Sequence, residues 1–516
     1  MIGSCYRTNN AGETSVPEIK LTDEQIQGVD MAKKMSSFKM SALAGTGKTT
    51  TLAEIARGLR KKRGLYLSFN KGIAVEAQKR FSGTNCTART FHSLAFAGFG
   101  KKYGSRLNQR LNAGFIRERF GVGGDHAFLV SGMALDSLGK FLRTIDDEVG
   151  PEHSVWPDAC KTIFAWKPDV TKSEVDQRQS RIENDMQRKV CFQIQAEALP
   201  LAQKIYNEMR RPTSDFPVTH DLYLREFVAS MPDLSSSRFG YEYILFDEAQ
   251  DADHLMLMLT TAQSLPVFYV GDAHQQIYSW RGAENAMASL DLPETPLTTS
   301  FRFGQAVADD ANEVLAALGS KYLLNVLPSK RSRVERSADV PPGTRAVISR
   351  TNGQVVSATL DGLKEGVRVG VSGLRGIKSF LRDYRSTEAG RPSGQFALFQ
   401  SVNDLMEHAQ TESGSDLKTW LDLVGQYGAD VLETAMGQAQ DLDQDKDVWK
   451  SCQRVAITAH AGKGMEFDSV HLSDDLFNPK RLKGDEEKRL LYVAKTRAMR
   501  VLSQGKSFVD VTQGEA

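Results

Sequence analysis

The sequence predicts an α/β fold of two parallel sheets with flanking helices, each sheet interrupted by a mainly helical insertion. Three observations lead there. Short apolar runs at residues 38–43, 64–69, 242–246 and 266–271 alternate with helical segments, the order that parallel strands with crossover helices require. A second set follows, RAVISR, RVAITAH and DSVHLSDD, closed by a helical pattern near 485–499. Between the strands of each set lies a long stretch without such runs, roughly 100–235 and 356–450, the first helix-rich and polar. At about 100–200 residues per domain, 516 residues divide into about three or four domains.

Charge narrows the possibilities. Lys and Arg total 65 against 64 Asp and Glu, so the basic excess of a non-specific nucleic-acid binder is missing and any such site must be local. Five scattered cysteines (Cys5, Cys86, Cys160, Cys191, Cys452) form no C-x-x-C pair, and no His cluster stands at zinc spacing. A reduced compartment without structural metal is expected. The polar start MIGSCYRTNNAGETSVPEIK lacks the apolar core of a signal peptide, and no apolar run approaches the roughly 20 residues of a membrane span. A cytoplasmic protein without membrane association is expected.

In the first element, FKMSALAGTGKTTTLAEIARGL, a short strand leads into a glycine turn and then a helix with Leu52, Ile55, Ala56 and Leu59 at helical spacing. This order makes a phosphate-binding loop. Gly45 and Gly47 let the backbone turn its N–H groups toward an anion, Lys48 can reach the outer phosphates and Thr49 can hold magnesium. The strict G-x-x-x-x-G-K-[ST] pattern wants Gly where Ala42 stands. The second element, YEYILFDEAQDAD, is an apolar strand that runs into Asp247 and Glu248. A buried strand ending on two acids must account for their charge. Magnesium on Asp247, and water activation at the γ-phosphate by Glu248, would do so. Upstream, Gln25 in LTDEQ stands just before the first helix, where an amide could read an adenine edge.

The third element, VGDAHQQIYSWRGAEN, places an acid and two glutamines a few residues from Tyr278, Trp280 and Arg281. Amides beside carboxylates suit phosphate chemistry, whereas aromatics beside a guanidinium suit stacking on flat rings.

Ten blocks in order, LTDEQ, ALAGTGKT, SFNKGIAVEA, TFHSLA, ILFDEAQD, VGDAHQQIYSWRGA, SFRFG, ISRTN, ITAHAGKGMEF and LLYVAKTRA, resemble the superfamily 1 DNA helicases of the UvrD/Rep type. HDLYL at 220–224, HQQIY, SFRFG and the paired acids after HAGKGMEF are similar to the F-box DNA helicase branch. Only about twenty residues precede the Gln25 block, so no F-box and no ubiquitin-ligase role are expected. Within this family Ala42 is usual. Ser300, Ala273, Lys495 and Met499 depart from common choices without removing a group that does chemistry.

The resemblance implies two RecA-like P-loop motor domains with ATP between them, each carrying an accessory domain. The expected boundaries are 1–99 and 236–292 (motor 1A), 100–235 (1B), 293–355 and 451–516 (motor 2A) and 356–450 (2B, short for the family). It further implies that Gln275 senses the γ-phosphate, Phe301 stacks on adenine, and Arg302 approaches the phosphates from the second motor. Arg497, on the helix EEKRLLYVAKTRAMR, becomes an arginine finger, and Glu466 faces the ribose. Ala44, Thr46 and Thr50 join the nucleotide site. Asn70, Thr90, Arg350, Thr458 and His460 join the DNA site.

Single-stranded DNA can be held by aromatics that stack on bases, at roughly 1–3 kcal/mol per base, with little net charge. Phe69, His92, Tyr278 and Trp280 beside Arg281 are the candidates, and Gln275 lies close enough in sequence to couple phosphate loss to that platform. The basic run SKRSRVER near 329–336 reads as a solvated loop. The expected activity is ATP- and Mg²⁺-dependent 3′–5′ translocation on single-stranded DNA with unwinding of tailed duplexes, its polarity taken wholly from the resemblance. Two alternatives stay open. One is a DNA-stimulated ATPase that strips proteins from single strands. The other is a motor subunit that needs a nuclease, recombination or defence partner.

Overall fold

Strands that are apolar along their whole length need cover on both faces, and parallel sheets with crossover helices supply it. The computed structural model describes residues 20–513 except 70, 110, 168–172, 279–284, 398, 400, 410–414 and 444–447. Its first sheet contains β1 (Phe38–Ala42), β2 (Gly64–Ser68), β3 (Cys86–Thr90), β4 (Tyr243–Phe246), β5 (Val267–Gly271) and β6 (Glu294–Leu297). Their spatial order is β3-β2-β4-β5-β1-β6, with every pairing parallel. Every residue of β2, β4 and β5 is buried. Because β4, β5 and β1 are neighbours, the loops at their carboxyl ends converge, which is where open α/β sheets bind ligands.

A short parallel pair, β7 (Thr299–Ser300) and β8 (Asn325–Val326), leads away from this sheet. The second sheet comprises β9 (Arg333–Arg336), β10 (Ala346–Ser349), β11 (Val369–Val371), β12 (Gln440–Asp441), β13 (Arg454–Thr458), β14 (Phe467–Leu472) and β15 (Ala498–Gln504). Their order is β12-β11-β13-β10-β14-β15-β9, again all parallel.

The structure moves several expected boundaries. β3 and β6 are not among the expected strands: both lie at sheet edges, and neither CTART nor ETPL, with its Pro296, carries an apolar run. β6 pairs with β1 in the first sheet, although the second motor is expected to begin at 293. The 356–450 segment gives β11 and β12 to the second sheet, so the helices outside the sheet's own strands and crossover narrow to Leu374–Glu388, Val402–Ala409, Ser415–Tyr427 and Ala429–Gln438. The basic run expected as a loop contains β9, an edge strand on β15. Charged side chains on an edge discourage pairing with other chains.

Among the described residues, four buried cores fill the layers. One packs the first sheet against the helices of the 100–235 insertion, including the 37-residue helix Glu174–Arg210. Another lies on the opposite face, where Leu52, Ile55, Ala56 and Leu59 meet Phe38, Met40 and Phe268. The second sheet has one core on each face. Leu43, Ala44 and Ile277, from loops of the first sheet, belong to one of these, so the two sheets' layers are packed together at the phosphate loop. Among the described residues no helix is long and apolar enough to cross a membrane.

Candidate nucleotide and nucleic-acid sites

The loop after β1 bends at Gly45 (φ 75°) and Gly47 (φ 78°), where a side chain would be strained. A Cβ on Gly45 would also stand 2.6 Å from the Ser300 hydroxyl, and one on Gly47 3.0 Å from the Gln25 amide nitrogen. Gly47 starts the helix Lys48–Gly58, and among the described residues no side chain caps it. Its first N–H groups and the positive end of the helix dipole therefore remain for an anion.

Lys48 Nζ lies 3.8 Å from Glu248 Oε2. Thr49 donates to Asp247 Oδ2 at 3.2 Å, and Tyr66 donates to the same oxygen at 2.7 Å. Immediately after Asp247 the chain turns through a left-handed Glu248 (φ 54°), rare for a non-glycine residue, and the Gln250 amide donates to Glu248 at 2.7 Å. The two acids are driven apart. Burial, then the Glu248 charge, raises Asp247 above the usual carboxylate range. Burial also opposes ionisation of Glu248, but Lys48, then Lys463, hold it below its ordinary value. Two hard oxygens converging at Thr49 and Asp247 suit Mg²⁺, whose charge would favour the ionised form of Asp247.

The other wall comes from beyond β7. The Phe301 N–H donates to the Gly45 carbonyl at 2.8 Å, and the Phe301 ring approaches Gly47. Arg302 pairs with Glu466 at 2.6 Å and donates to the Thr496 carbonyl at 2.9 Å. Arg497 is expected on the helix of EEKRLLYVAKTRAMR; that helix, Asp485–Lys495, stops short of it, and Arg497 sits between it and β15 because the chain turns there to enter the sheet. Its guanidinium is buried, donates to the carbonyls of Val493 and Met465, and faces Gln275 Oε1 at 3.5 Å. Burial, then the like charge of Arg302, lowers its pKa, yet an arginine stays charged.

Some expected roles are occupied by other contacts. Gln25 accepts from the Thr22 N–H and donates to Thr51, so its amide caps the first helix beside Gly47. Glu466 holds Arg302. Thr46 donates to the Leu43 carbonyl, and Thr50 accepts from Arg80. Three contributors are not candidates on sequence grounds. Tyr66 holds Asp247, Tyr492 accepts from the Ala44 N–H at 3.0 Å and donates to Asp272 at 3.1 Å, and Lys463 reaches both Asp251 and the Gln275 carbonyl. Tyr492 and Lys463 fall inside LLYVAKTRA and ITAHAGKGMEF, but nothing local marks them within those blocks.

The nucleic-acid candidates fall into two groups. Ser68 and Thr90 pair in register, so Phe69 and His92 leave adjacent strand ends. Phe69 is exposed, Thr90 caps the short helix Phe91–Ala95, and His92 sits 3.0 Å from Asp221 with its ring edge-on to His220 and Tyr223. In the second group Arg350, Thr458 and His460 line a cavity of about 260 Å³ with Thr351, Asn352 and Trp420. Tyr278 donates to the His460 carbonyl at 3.4 Å, and the Lys463 ammonium stands 4.9 Å from its ring centre. Arg350 is held by Glu487 through a bidentate contact. Asn70, Trp280 and Arg281 lie outside the described residues.

Comparison with known proteins finds helicase families and helicase relatives. The UvrD/REP helicase N-terminal domain family matches residues 21–291, and the UvrD-like helicase C-terminal domain family matches 396–503. F-box DNA helicase 1 of Gallus gallus is 28% identical over 96% of this chain and 50% of its own length. F-box DNA helicase protein 1 of Schizosaccharomyces pombe is 27% identical over 97% of this chain and 60% of its own. A probable DNA helicase of Mycoplasma pneumoniae is 38% identical over 15% of this chain and 17% of its own. The chain thus spans between half and three-fifths of the first two relatives.

Proposed function

The chain belongs to the UvrD/REP helicase family, and on that premise we propose that it is an ATP-dependent DNA helicase that translocates 3′ to 5′ on single-stranded DNA. One observation carries the ATP-driven part of this reading, and the polarity rests on the family resemblance alone. Lys48, Thr49, Asp247 and Glu248 converge at the carboxyl ends of the first sheet, while Phe301, Arg302 and Arg497 close on them from the side of the second.

In this reading the phosphates of ATP lie on the first N–H groups of the helix after Gly47, with Lys48 and Arg302 countering their charge. Thr49 and Asp247 hold Mg²⁺, which supplies a further positive charge beside the phosphates. Glu248, kept ionised by Lys48 and Lys463, accepts a proton from the attacking water. Arg497 offsets the charge that builds on the γ-phosphoryl group, as arginine fingers do. Phe301 offers a face to the adenine. Hydrolysis reaches DNA through Gln275: three residues on stands Tyr278, and Lys463 touches both. Phe69, His92, Tyr278 and the cavity at Arg350, Thr458 and His460 form the strand's path. The two insertions stand as the 1B and 2B accessory domains.

The small second insertion favours one alternative, a DNA-stimulated ATPase that strips proteins from single strands. Strand displacement on duplexes with a 3′ or a 5′ tail, with Lys48→Ala as control, tests both. Displacement from the 3′ tail alone, lost in the control, supports the helicase. DNA-stimulated hydrolysis without displacement on either tail favours the alternative.

A further inference from the structure

Tyr492 stands on the helix Asp485–Lys495, fully buried, yet both partners of its hydroxyl belong to loops of the first sheet. Hydrogen-bond chemistry fixes the direction of each contact. A backbone N–H can only donate, so Ala44 donates to the Tyr492 oxygen at 3.0 Å, and the tyrosine proton goes to Asp272 Oδ2 at 3.1 Å. Burial, then the Asp272 charge, raises the pKa of Tyr492 well above the ordinary phenol value, so this donor keeps its proton at any working pH.

Asp272 Oδ2 accepts a second bond, from the Gln275 side-chain nitrogen at 2.8 Å. An ionised carboxylate only accepts, so it selects the NH₂ end of that amide and turns the carbonyl end toward Arg497, 3.5 Å away. Asp272 Oδ1 is engaged by the His274 N–H at 3.0 Å. The orientation of Gln275 therefore depends on a carboxylate whose remaining tie among the described residues is the Tyr492 hydroxyl. That hydroxyl is delivered from the other sheet's helix and also grips the phosphate loop.

We infer that Tyr492 is a positioning residue for hydrolysis: through Asp272 it sets the Gln275 amide at the γ-phosphate, and it does so only while its helix is closed against the phosphate loop. The inference rests on the proposed ATPase activity and extends it. Opening of the two sheets would break the Ala44 and Asp272 contacts together and release Gln275. ATP binding would survive that release, because Lys48 and the helix N-terminus need neither contact.

Tyr492→Phe keeps the ring and removes only the hydroxyl. Steady-state ATP hydrolysis by the full chain with saturating single-stranded oligonucleotide is the measurement. We expect kcat to fall about tenfold with KM for ATP within about twofold, the signature of an interaction needed for the chemical step. Combined with Gln275→Ala, the change should add no more than about twofold to the loss from Gln275→Ala alone, because residues acting as one unit are not additive. Asp272→Ala should show the same loss and the same lack of addition, which guards against misfolding of one variant. A kcat within about twofold of wild type, or a rise in KM alone, or losses that multiply in the double variant, overturns the inference while leaving the ATPase intact. A wild-type chain that hydrolyses no ATP overturns the proposed function and this inference together.

Discussion

Lys463 and Asp251 meet between the two sheets, Nζ to Oδ2 at 2.5 Å, with each side chain about nine-tenths buried. The same ammonium donates to the Gln275 carbonyl at 2.7 Å, so one lysine on the loop after β13 grips two loops of the first sheet. Burial pushes Asp251 up to about 6 although Lys463 opposes it. A carboxyl raised in the folded state contributes stability that is present below its unfolded value and lost as pH rises through the folded one. Asp251→Asn removes that loss. Its melting temperature relative to wild type should therefore climb between about pH 4 and about pH 6 and level off above. Paired thermal melts across that range check this; a difference that stays flat would mean Asp251 titrates as an ordinary surface acid.

In the proposed mechanism Gln275 divides binding from turnover. Its nitrogen is held by Asp272 and its oxygen faces Arg497, while Lys48 and the uncapped helix contact neither group. Gln275→Ala should leave affinity for a non-hydrolysable ATP analogue within about twofold and cut DNA-stimulated hydrolysis by roughly 10-fold or more. Titration of the analogue beside a DNA-stimulated rate separates the two effects. Equal stimulated rates in variant and wild type would remove Gln275 from the mechanism.

Position along a strand makes half of the site legible in the sequence. Lys48, Thr49, Asp247 and Glu248 each follow an apolar run, and a parallel sheet brings such strand ends together. Edge strands escape that reading because half-exposed residues need no apolar run: Pro296 stands in β6, and the basic β9 reads as a loop. Tyr66, Tyr492 and Lys463 are hidden for another reason. Tyr66 and Asp247 are 181 residues apart, Ala44 and Tyr492 448, and no local periodicity encodes such a meeting. Arg497 is legible as a residue and misplaced as an element, since helical spacing continues in LLYVAKTRAM past the point where the chain turns into β15.

Lys495, one of the departures from the family's common choices, is completely buried and paired with Asp310, whose other oxygen accepts from Gln504 at 2.8 Å. Removing one partner of a buried pair strands the other's charge, at about 3–5 kcal/mol, whereas removing both charges costs far less. Lys495→Ala should therefore destabilise strongly, and Lys495→Met with Asp310→Asn should recover most of the loss. Urea unfolding of the single and double variants decides it. Equal losses would place the cost in packing instead of a stranded charge.

Arg350 is the nucleic-acid candidate whose charge is already engaged. Its guanidinium binds both oxygens of Glu487 at 2.7–3.0 Å, and the pair is about one-quarter exposed. A partly exposed pair contributes only about 0–1 kcal/mol, so a DNA phosphate can replace the glutamate at little cost, but the two anions still compete. Glu487→Gln removes the competing charge and keeps the shape. Affinity for a single-stranded oligonucleotide should rise by a few fold, and the slope of log affinity against log salt should steepen by about 0.7, the value for one added phosphate contact on a single strand. Anisotropy titrations at several salt concentrations read both quantities. If neither changes, Arg350 serves to fix Glu487 and the helix that carries Tyr492, and the strand's path along the second sheet must rest on Thr458 and His460, which share its cavity.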